Sequence, residues 1–293
     1  MAIRLATRGS ALALAQARAV GELLGGAELV EAEADSTEIG DKARFVRGVE
    51  RALLEGEAEI GVHSAKDLPS DAAEGLEIAG VPAREVATDA WVGTGTSLAK
   101  VPEGAQVGTS SLRRRSQLLA RRPDLEVVGL RGNVDTRLRR LAEGEVDGIV
   151  LATAGLRRLG REQEIAFELP IEEMTPAAGQ GALALQARAD DPESAAAAEA
   201  ITDPDALVEL TAERAAIATL DASCATPVGV HAGHDESGDL LIFGFIGLPD
   251  GSEWVRDRLV ADPGSPAAAG HELAERLLSA GGGELLERAE AMT

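Results

Sequence analysis

The chain has 293 residues, 45% of them apolar, and carries 28 basic against 50 acidic side chains, for a formal net charge of −22. That length supports a sizeable core in two or three domains. No apolar run is long enough for a membrane helix, no signal-peptide core follows Met1, and so acidic a surface argues against nucleic acid as a partner, since phosphate binding needs clustered cations. With one cysteine, Cys224, no disulfide can close within the chain, and the cytoplasm is the expected compartment.

The first 80 residues read as β-α-β-α-β. Ile3 to Thr7 is a short strand, and Ser10 can cap a helix carrying Leu12, Ala15, Val20, Leu23 and Leu24. Leu29 to Ala34 is the second expected strand. Phe45, Val49, Ala52 and Leu53 fall on one helical stripe. Ala58 to Val62 is the third strand, with His63-Ser64-Ala65-Lys66-Asp67 at its C-terminal end. After Pro82 the rhythm recurs. A strand ends at Val107, and Thr109-Ser110-Ser111 opens a helix with Leu112, Leu118 and Leu119. Leu125 to Leu130 is a strand, Arg131-Gly132-Asn133 opens a helix with Val134, Leu138 and Leu141, and Ile149 to Ala152 is a strand. Such alternation predicts two parallel-sheet α/β units, whose ligands bind outside the carboxyl ends of the strands. Beyond about residue 204 the pattern changes to a helix through Leu207, Leu210 and Ile217, then strands Leu240 to Leu248 and Trp254 to Val260 joined by Pro249-Asp250-Gly251-Ser252. A helix from Pro266 to Ala280 closes a small α+β domain.

Charge is not spread evenly. Between Arg113 and Arg161 twelve arginines face six acids, a local net of +6. Planar guanidinium forks suit carboxylates and phosphates. Arg121, Arg122, Arg139, Arg140 and Arg161 fit solvated helix faces. Thr109-Ser110-Ser111-Leu112-Arg113-Arg114-Arg115 fits an anion site, because cations at a helix N-terminus oppose its dipole unless an anion lies between. Arg8-Gly9-Ser10 and Arg131-Gly132-Asn133 repeat the order arginine, glycine, capping residue. Asp67 beside Lys66 is either a local ion pair or an ionised carboxylate that stabilises positive charge on a substrate. Cys224 is either a buried small hydrophobe or an accessible thiol in a Pro/Gly turn. His231 and His234 lack the ligand set of a metal site, and no motif supports a Cys224–His63 nucleophile pair.

Seven segments in order resemble the porphobilinogen deaminase (hydroxymethylbilane synthase) family. They are Ala6-Thr7-Arg8-Gly9-Ser10, Val62-His63-Ser64-Ala65-Lys66-Asp67-Leu68-Pro69, Gly108-Thr109-Ser110-Ser111-Leu112-Arg113-Arg114, Leu130-Arg131-Gly132-Asn133-Val134 with Thr136-Arg137-Leu138, Ala154-Gly155-Leu156-Arg157-Arg158-Leu159-Gly160, Pro176-Ala177-Ala178-Gly179-Gln180-Gly181, and the Cys224 turn. The resemblance covers nearly the whole chain. It implies an α/β fold of two periplasmic-binding-protein-like domains with a small C-terminal α+β domain. The expected boundaries are 1–82 plus 180–200 for domain one, 83–179 for an inserted domain two, and 204–293 for the cofactor-anchoring domain.

The family joins four porphobilinogen molecules head to tail, releases ammonia, and frees a linear tetrapyrrole by hydrolysis, in tetrapyrrole (heme) biosynthesis. The resemblance makes Cys224 the thioether anchor of a covalent dipyrromethane cofactor. Asp67 becomes the catalytic carboxylate, bonded to pyrrole N–H groups and stabilising the cation formed as ammonia leaves. Ser64, Lys66, Thr109, Ser111, Arg113, Arg114 and Arg131 match residues around the cofactor carboxylates. Arg8, Ser10, Gln16, Arg137 and Arg158 match residues for substrate or growing chain, and Lys42 the surviving lysine of a mobile lid. No metal is implied, and a monomer is expected. The family's usual lid segment is shortened here to 36–45, its Gly-Gly before the cysteine is Ala222-Ser223, and an aromatic often found beyond the cysteine is His231. The rival class is a non-enzymatic two-domain binding protein for polycarboxylate anions. Acid-rich, Ala-rich and Lys-poor (Lys42, Lys66 and Lys100 only), the composition is that expected of a halophilic organism.

Overall fold

The computed structural model describes residues 3–33, 43–69, 73–222 and 226–292. Lys42, most of the shortened lid segment, Ser223 and Cys224 lie outside them. The chain forms two compact units, Met1–Glu85 with Gly181–Val208, and Val86–Gln180 with Glu209–Thr293.

The first unit begins β1 (Ile3–Thr7), α1 (Ala11–Leu23), β2 (Ala27–Glu31), α2 (Ala43–Leu54), β3 (Ile60–Ser64) and β4 (Leu76–Gly80). In the second unit come β5 (Asp89–Gly93), β6 (Gln106–Gly108), α3 (Leu112–Arg121), β7 (Glu126–Val128), α4 (Val134–Ala142), β8 (Gly148–Ala152), α5 (Thr153–Arg158) and β9 (Phe167–Leu169). The chain then returns to the first unit for β10 (Leu183–Arg188) and α6 (Pro192–Glu199), and α7 (Pro204–Thr219) follows. The second unit closes with β11 (Val228–His234), β12 (Leu240–Gly247), β13 (Trp254–Ala261), α8 (Pro266–Leu277) and α9 (Gly283–Ala291).

The two large sheets share one plan. In the first, the order is β2-β1-β3-β10-β4, with β1 parallel to β2 and β3, and β10 antiparallel to β3 and β4. In the second it is β7-β6-β8-β5-β9, with β6 parallel to β7 and β8, and β5 antiparallel to β8 and β9. Each sheet is thus completed by one antiparallel strand lying beside its third parallel strand. This is the expected pair of α/β domains, each built on a mostly parallel sheet. The third sheet, β11-β12-β13, is antiparallel and belongs to the small C-terminal α+β part.

Both faces of the large sheets are covered. Trp91, Val107 and Val150 join the core on one face of the second sheet, while Ala90, Val92, Ile149 and Leu151 join that on the other. Trp91 stacks on Phe167 with ring centroids 5.8 Å apart. In the first sheet Leu5, Ile60, Val62 and Leu185 lie on one side, and Ala6 packs with Val49 and Leu53 of α2 on the other. Burial on two faces explains why these strands read as continuous apolar runs rather than as alternation.

The caps follow the sequence closely. Ser10, Ser111 and Asn133 each accept a backbone N–H three residues on, opening α1, α3 and α4. Several boundaries differ from expectation: the second strand is Ala27–Glu31 rather than Leu29 to Ala34, and the strand after α3 is Glu126–Val128 rather than Leu125 to Leu130. The third strand runs through Ser64, so His63 is a strand residue. The closing helix α8 stops at Leu277, and Gly281, at φ 100°, breaks the turns that follow before α9 begins. No described helix is long and apolar enough to cross a membrane.

Candidate active site

In the first unit the polar residues gather where β1 and β3 end. Thr7 Oγ1 donates to the Ala13 carbonyl at 3.2 Å, and Ser10 Oγ accepts from the Ala13 N–H at 3.3 Å. These bonds fold Arg8-Gly9-Ser10 across the start of α1, on which Gln16 is buried. Beyond Ser64 the chain makes one 3-10 turn, Ala65–Asp67. Ala65 N–H donates to the Ala182 carbonyl at 3.1 Å, so the residues leading into β10 pin this turn. The turn presents Lys66 and Asp67 partly buried. Arg8 Nη1 lies 3.7 Å from Asp67 Oδ2, an ion pair too long to be a hydrogen bond. The fold therefore brings Arg8 and Asp67 together from positions 59 apart in sequence.

His63 sits behind this turn, 5% exposed. Burial pushes its imidazole down to about 4, although Gln186 and Asp67 favour the protonated form. Its folded value lies below the unfolded one. Its contribution to stability is therefore complete above the unfolded value and is lost as pH falls from about 6.5 towards 4. Between pH 7 and 4.5 this group should cost about 2–3 kcal/mol. Urea unfolding of the wild type and His63→Asn at both pH values checks this. An equal fall in both proteins would show that His63 does not carry the acid sensitivity.

In the second unit an open pocket of about 210 Å3 lies at the N-terminus of α3. Thr109, Ser110, Ser111, Arg115, Gly129 and Arg131 line it. Thr109 is fixed by its N–H on the Val128 carbonyl at 2.9 Å, and its Oγ1 accepts from Ser111 N–H at 3.2 Å. Arg115 is braced by the Pro249 carbonyl at 3.2 Å. Arg131 is exposed. Gly132, at φ 123°, makes the turn that lets Asn133 cap α4, and a Cβ there would meet Thr136 at 2.8 Å. Hydroxyls, helix N–H groups and two guanidiniums in one concavity suit a carboxylate.

Arg113 and Arg114 are buried beneath the start of α3, on Asp89 at the head of β5. Arg113 Nη1 donates to Asp89 Oδ2 at 2.8 Å and to the Thr175 carbonyl at 2.7 Å. Arg114 donates to Asp89 Oδ1 from Nε at 3.1 Å and Nη2 at 2.7 Å, and to the Val150 carbonyl at 2.9 Å. Burial alone would push the Asp89 carboxyl up, but the two guanidiniums outweigh it and hold it well below the usual carboxylate range. Arg137 donates to the Gly132 carbonyl at 2.8 Å. Burial, with Arg114 nearby, pushes its guanidinium down to about 10, so it stays charged at neutral pH.

The remaining arginines of the basic window divide clearly. Arg122 pairs with Asp124, Arg139 with Glu143, Arg140 with Glu145, Arg157 with Glu168, and Arg161 with Asp135 and Glu164. Arg121 holds the carbonyls of Glu172 and Glu173. Arg158, on α5, is partly buried. Two residues that sequence reading did not single out organise this unit. Asp89 is one; an acid directly before the apolar run Ala90-Trp91-Val92 was its only signal. Glu213 is the other. Fully buried on α7, it accepts from Gly179 N–H at 2.5 Å and from Ala232 N–H at 2.8 Å, and lies 3.2 Å from His231 Nδ1.

Fold and site define an α/β protein with a strand-end aspartate in one unit and, in the other, a pocket of hydroxyls and guanidiniums whose chemistry suits carboxylates. Residues 3–196 match the family model "Porphobilinogen deaminase, dipyromethane cofactor binding domain", and residues 207–279 match "Porphobilinogen deaminase, C-terminal domain". Relatives named porphobilinogen deaminase include one from Campylobacter hominis, 39% identical over 99% of both chains. One from Desulforudis audaxviator is 43% identical over 97% of both, and one from Roseiflexus castenholzii is 48% identical over 85% of this chain and 82% of its own. The chain belongs to the porphobilinogen deaminase family. It is a transferase (hydroxymethylbilane synthase) of tetrapyrrole biosynthesis that uses a dipyrromethane cofactor.

Proposed function

We propose that this chain condenses four porphobilinogen molecules head to tail into hydroxymethylbilane with its two polar groups in separate roles, one for carboxylates and one for ring nitrogens. The pocket at the start of α3 carries this reading. Each pyrrole unit bears an acetate and a propionate. Thr109, Ser111 and Arg131 offer hydroxyl and guanidinium donors of the kind a dipyrromethane needs, with Arg113 and Arg114 packed beneath. Ser64 and Lys66 would take further carboxylates, and Cys224 would hold the cofactor through a thioether. When bound, the cofactor supplies the nucleophilic pyrrole carbon that starts the chain.

Asp67 would accept hydrogen bonds from pyrrole N–H groups. A fixed carboxylate there stabilises positive charge developing as ammonia leaves and as the next ring attaches. Arg8, Ser10, Gln16, Arg137 and Arg158 would bind carboxylates of the incoming unit or growing chain, and Lys42 would act in the lid. We assign the work to a single chain in the cytoplasm, divided as 1–82 with 180–200, 83–179, and 204–293.

Incubating the purified chain with porphobilinogen tests the assignment. Expected are ammonia release matching porphobilinogen consumed, and one linear tetrapyrrole for every four. Porphobilinogen bound reversibly with no ammonia released would leave the binding-protein class instead.

A further inference from the structure

We infer that Asp89 is a positioning residue for this reaction, whose one carboxylate locks the Arg113 and Arg114 guanidiniums and leaves the pair with a single net positive charge for a bound carboxylate. This rests on the reading above that the start of α3 is the carboxylate site.

Charge and geometry both support it. Asp89 is fully buried, and its two oxygens accept from Arg113 Nη1, Arg114 Nε, Arg114 Nη2 and Gln180 Nε2, the last at 2.9 Å. Gln180 is itself held by the Ala87 carbonyl at 2.7 Å, so the carboxylate cannot swing away. The two arginines are used unequally. Arg114 has bonds to described residues from all three nitrogens, whereas Arg113 has them from Nη1 alone. Arg114 is thereby a strut, and Arg113 keeps Nε and Nη2 as donors for a ligand. Arg113, through its one bonded nitrogen, is also tied to the C-terminal part of the unit. The Thr175 carbonyl that takes Arg113 also takes Gln117 Nε2 at 3.0 Å, and Gln117 Oε1 accepts from Arg256 of β13 at 3.0 Å.

Without Asp89, two adjacent buried guanidiniums, with Arg137 close to one of them, would repel each other. They would rotate apart or recruit an anion from solvent. With Asp89 in place, one charge is cancelled internally and the other is available at fixed geometry. A purely architectural carboxylate would affect stability only.

Full-length wild type, Asp89→Asn and Asp89→Ala, made in a porphobilinogen-producing host, separate these. The measurements are the fraction of folded chains carrying the dipyrrole adduct by intact mass, the turnover, and the thermal midpoint with and without formate. Asn keeps the shape without the charge, and its adduct fraction should fall about tenfold or more. Ala leaves a carboxylate-sized gap between the guanidiniums. Formate at about 50 mM should raise Asp89→Ala adduct and turnover about fivefold, while chloride at the same ionic strength should not. Folded Asp89→Asn within about twofold of wild type in both readouts overturns the proposal. So does formate that raises the Asp89→Ala midpoint but not its turnover, or failure of both variants to fold even in formate. Wild type at its bare chain mass is a different result: it removes the carboxylate-site reading itself, and the proposal with it.

Discussion

Replacing Cys224 by alanine should give a folded chain at its bare mass, with turnover down about a thousandfold or more. Cys224 is the only sulfhydryl in the sequence, so a thioether adduct has one possible address. Alanine removes a sulfur and little else, and no disulfide is lost. On the proposed function, what disappears is the tether of the cofactor, and without a retained primer each new chain would have to begin from free monomers. Intact mass and turnover, measured on wild type and variant from the same host, decide it. An adduct that persists in Cys224→Ala places the attachment elsewhere. A wild type with no adduct but full turnover removes the need for a tether.

Asp67→Asn has the second large effect. Asparagine preserves the shape of the 3-10 turn and can still accept one hydrogen bond from a pyrrole N–H. It cannot supply the negative charge against which, on the proposed function, the substrate cation would form. Losing a preorganised charge at a reacting centre costs about a hundredfold to a thousandfold in turnover. Asp67 is not deeply buried and its contact with Arg8 is long, so stability should change by less than about 1 kcal/mol. Turnover, adduct mass and thermal midpoint of the variant test this together. Near-normal turnover would take Asp67 out of catalysis, and a collapsed midpoint would make it a fold residue.

Much of this site was legible because it is written in local rules. A hydroxyl or amide before a helix caps it, and Ser10, Ser111 and Asn133 do so. Strand ends in a parallel sheet carry the ligand loops, and Arg8, Ser64 and Thr109 all lie there. The unread parts depend on partners distant in sequence. Leu183–Arg188 is buried nearly throughout and shows no alternation, so nothing local marks it as a strand between β3 and β4. The turn signals of Pro227 and Gly229 likewise mask the strand Val228–His234. The basic run at 113–115 reads as three equivalent cations. In the fold two are buried on Asp89, and the third lines the pocket, braced from Pro249. That division is set by an acid more than twenty positions upstream, which periodicity does not reveal.

The shared sheet plan also sets an order of assembly as the chain is made. All five strands of the second sheet lie between Asp89 and Leu169, so that sheet can close once residue 169 has emerged from the ribosome. The first sheet, though begun at Ile3, stays split between β3 and β4 until Leu183–Arg188 appears. One hydrogen-bonding edge of β3 is therefore open from Ser64 until Leu183 is made, 183 − 64 = 119 positions of the 293-residue chain, and open strand edges invite mispairing. The turn that bears Asp67 is among the last parts of its own unit to be secured, because the carbonyl that pins it belongs to Ala182.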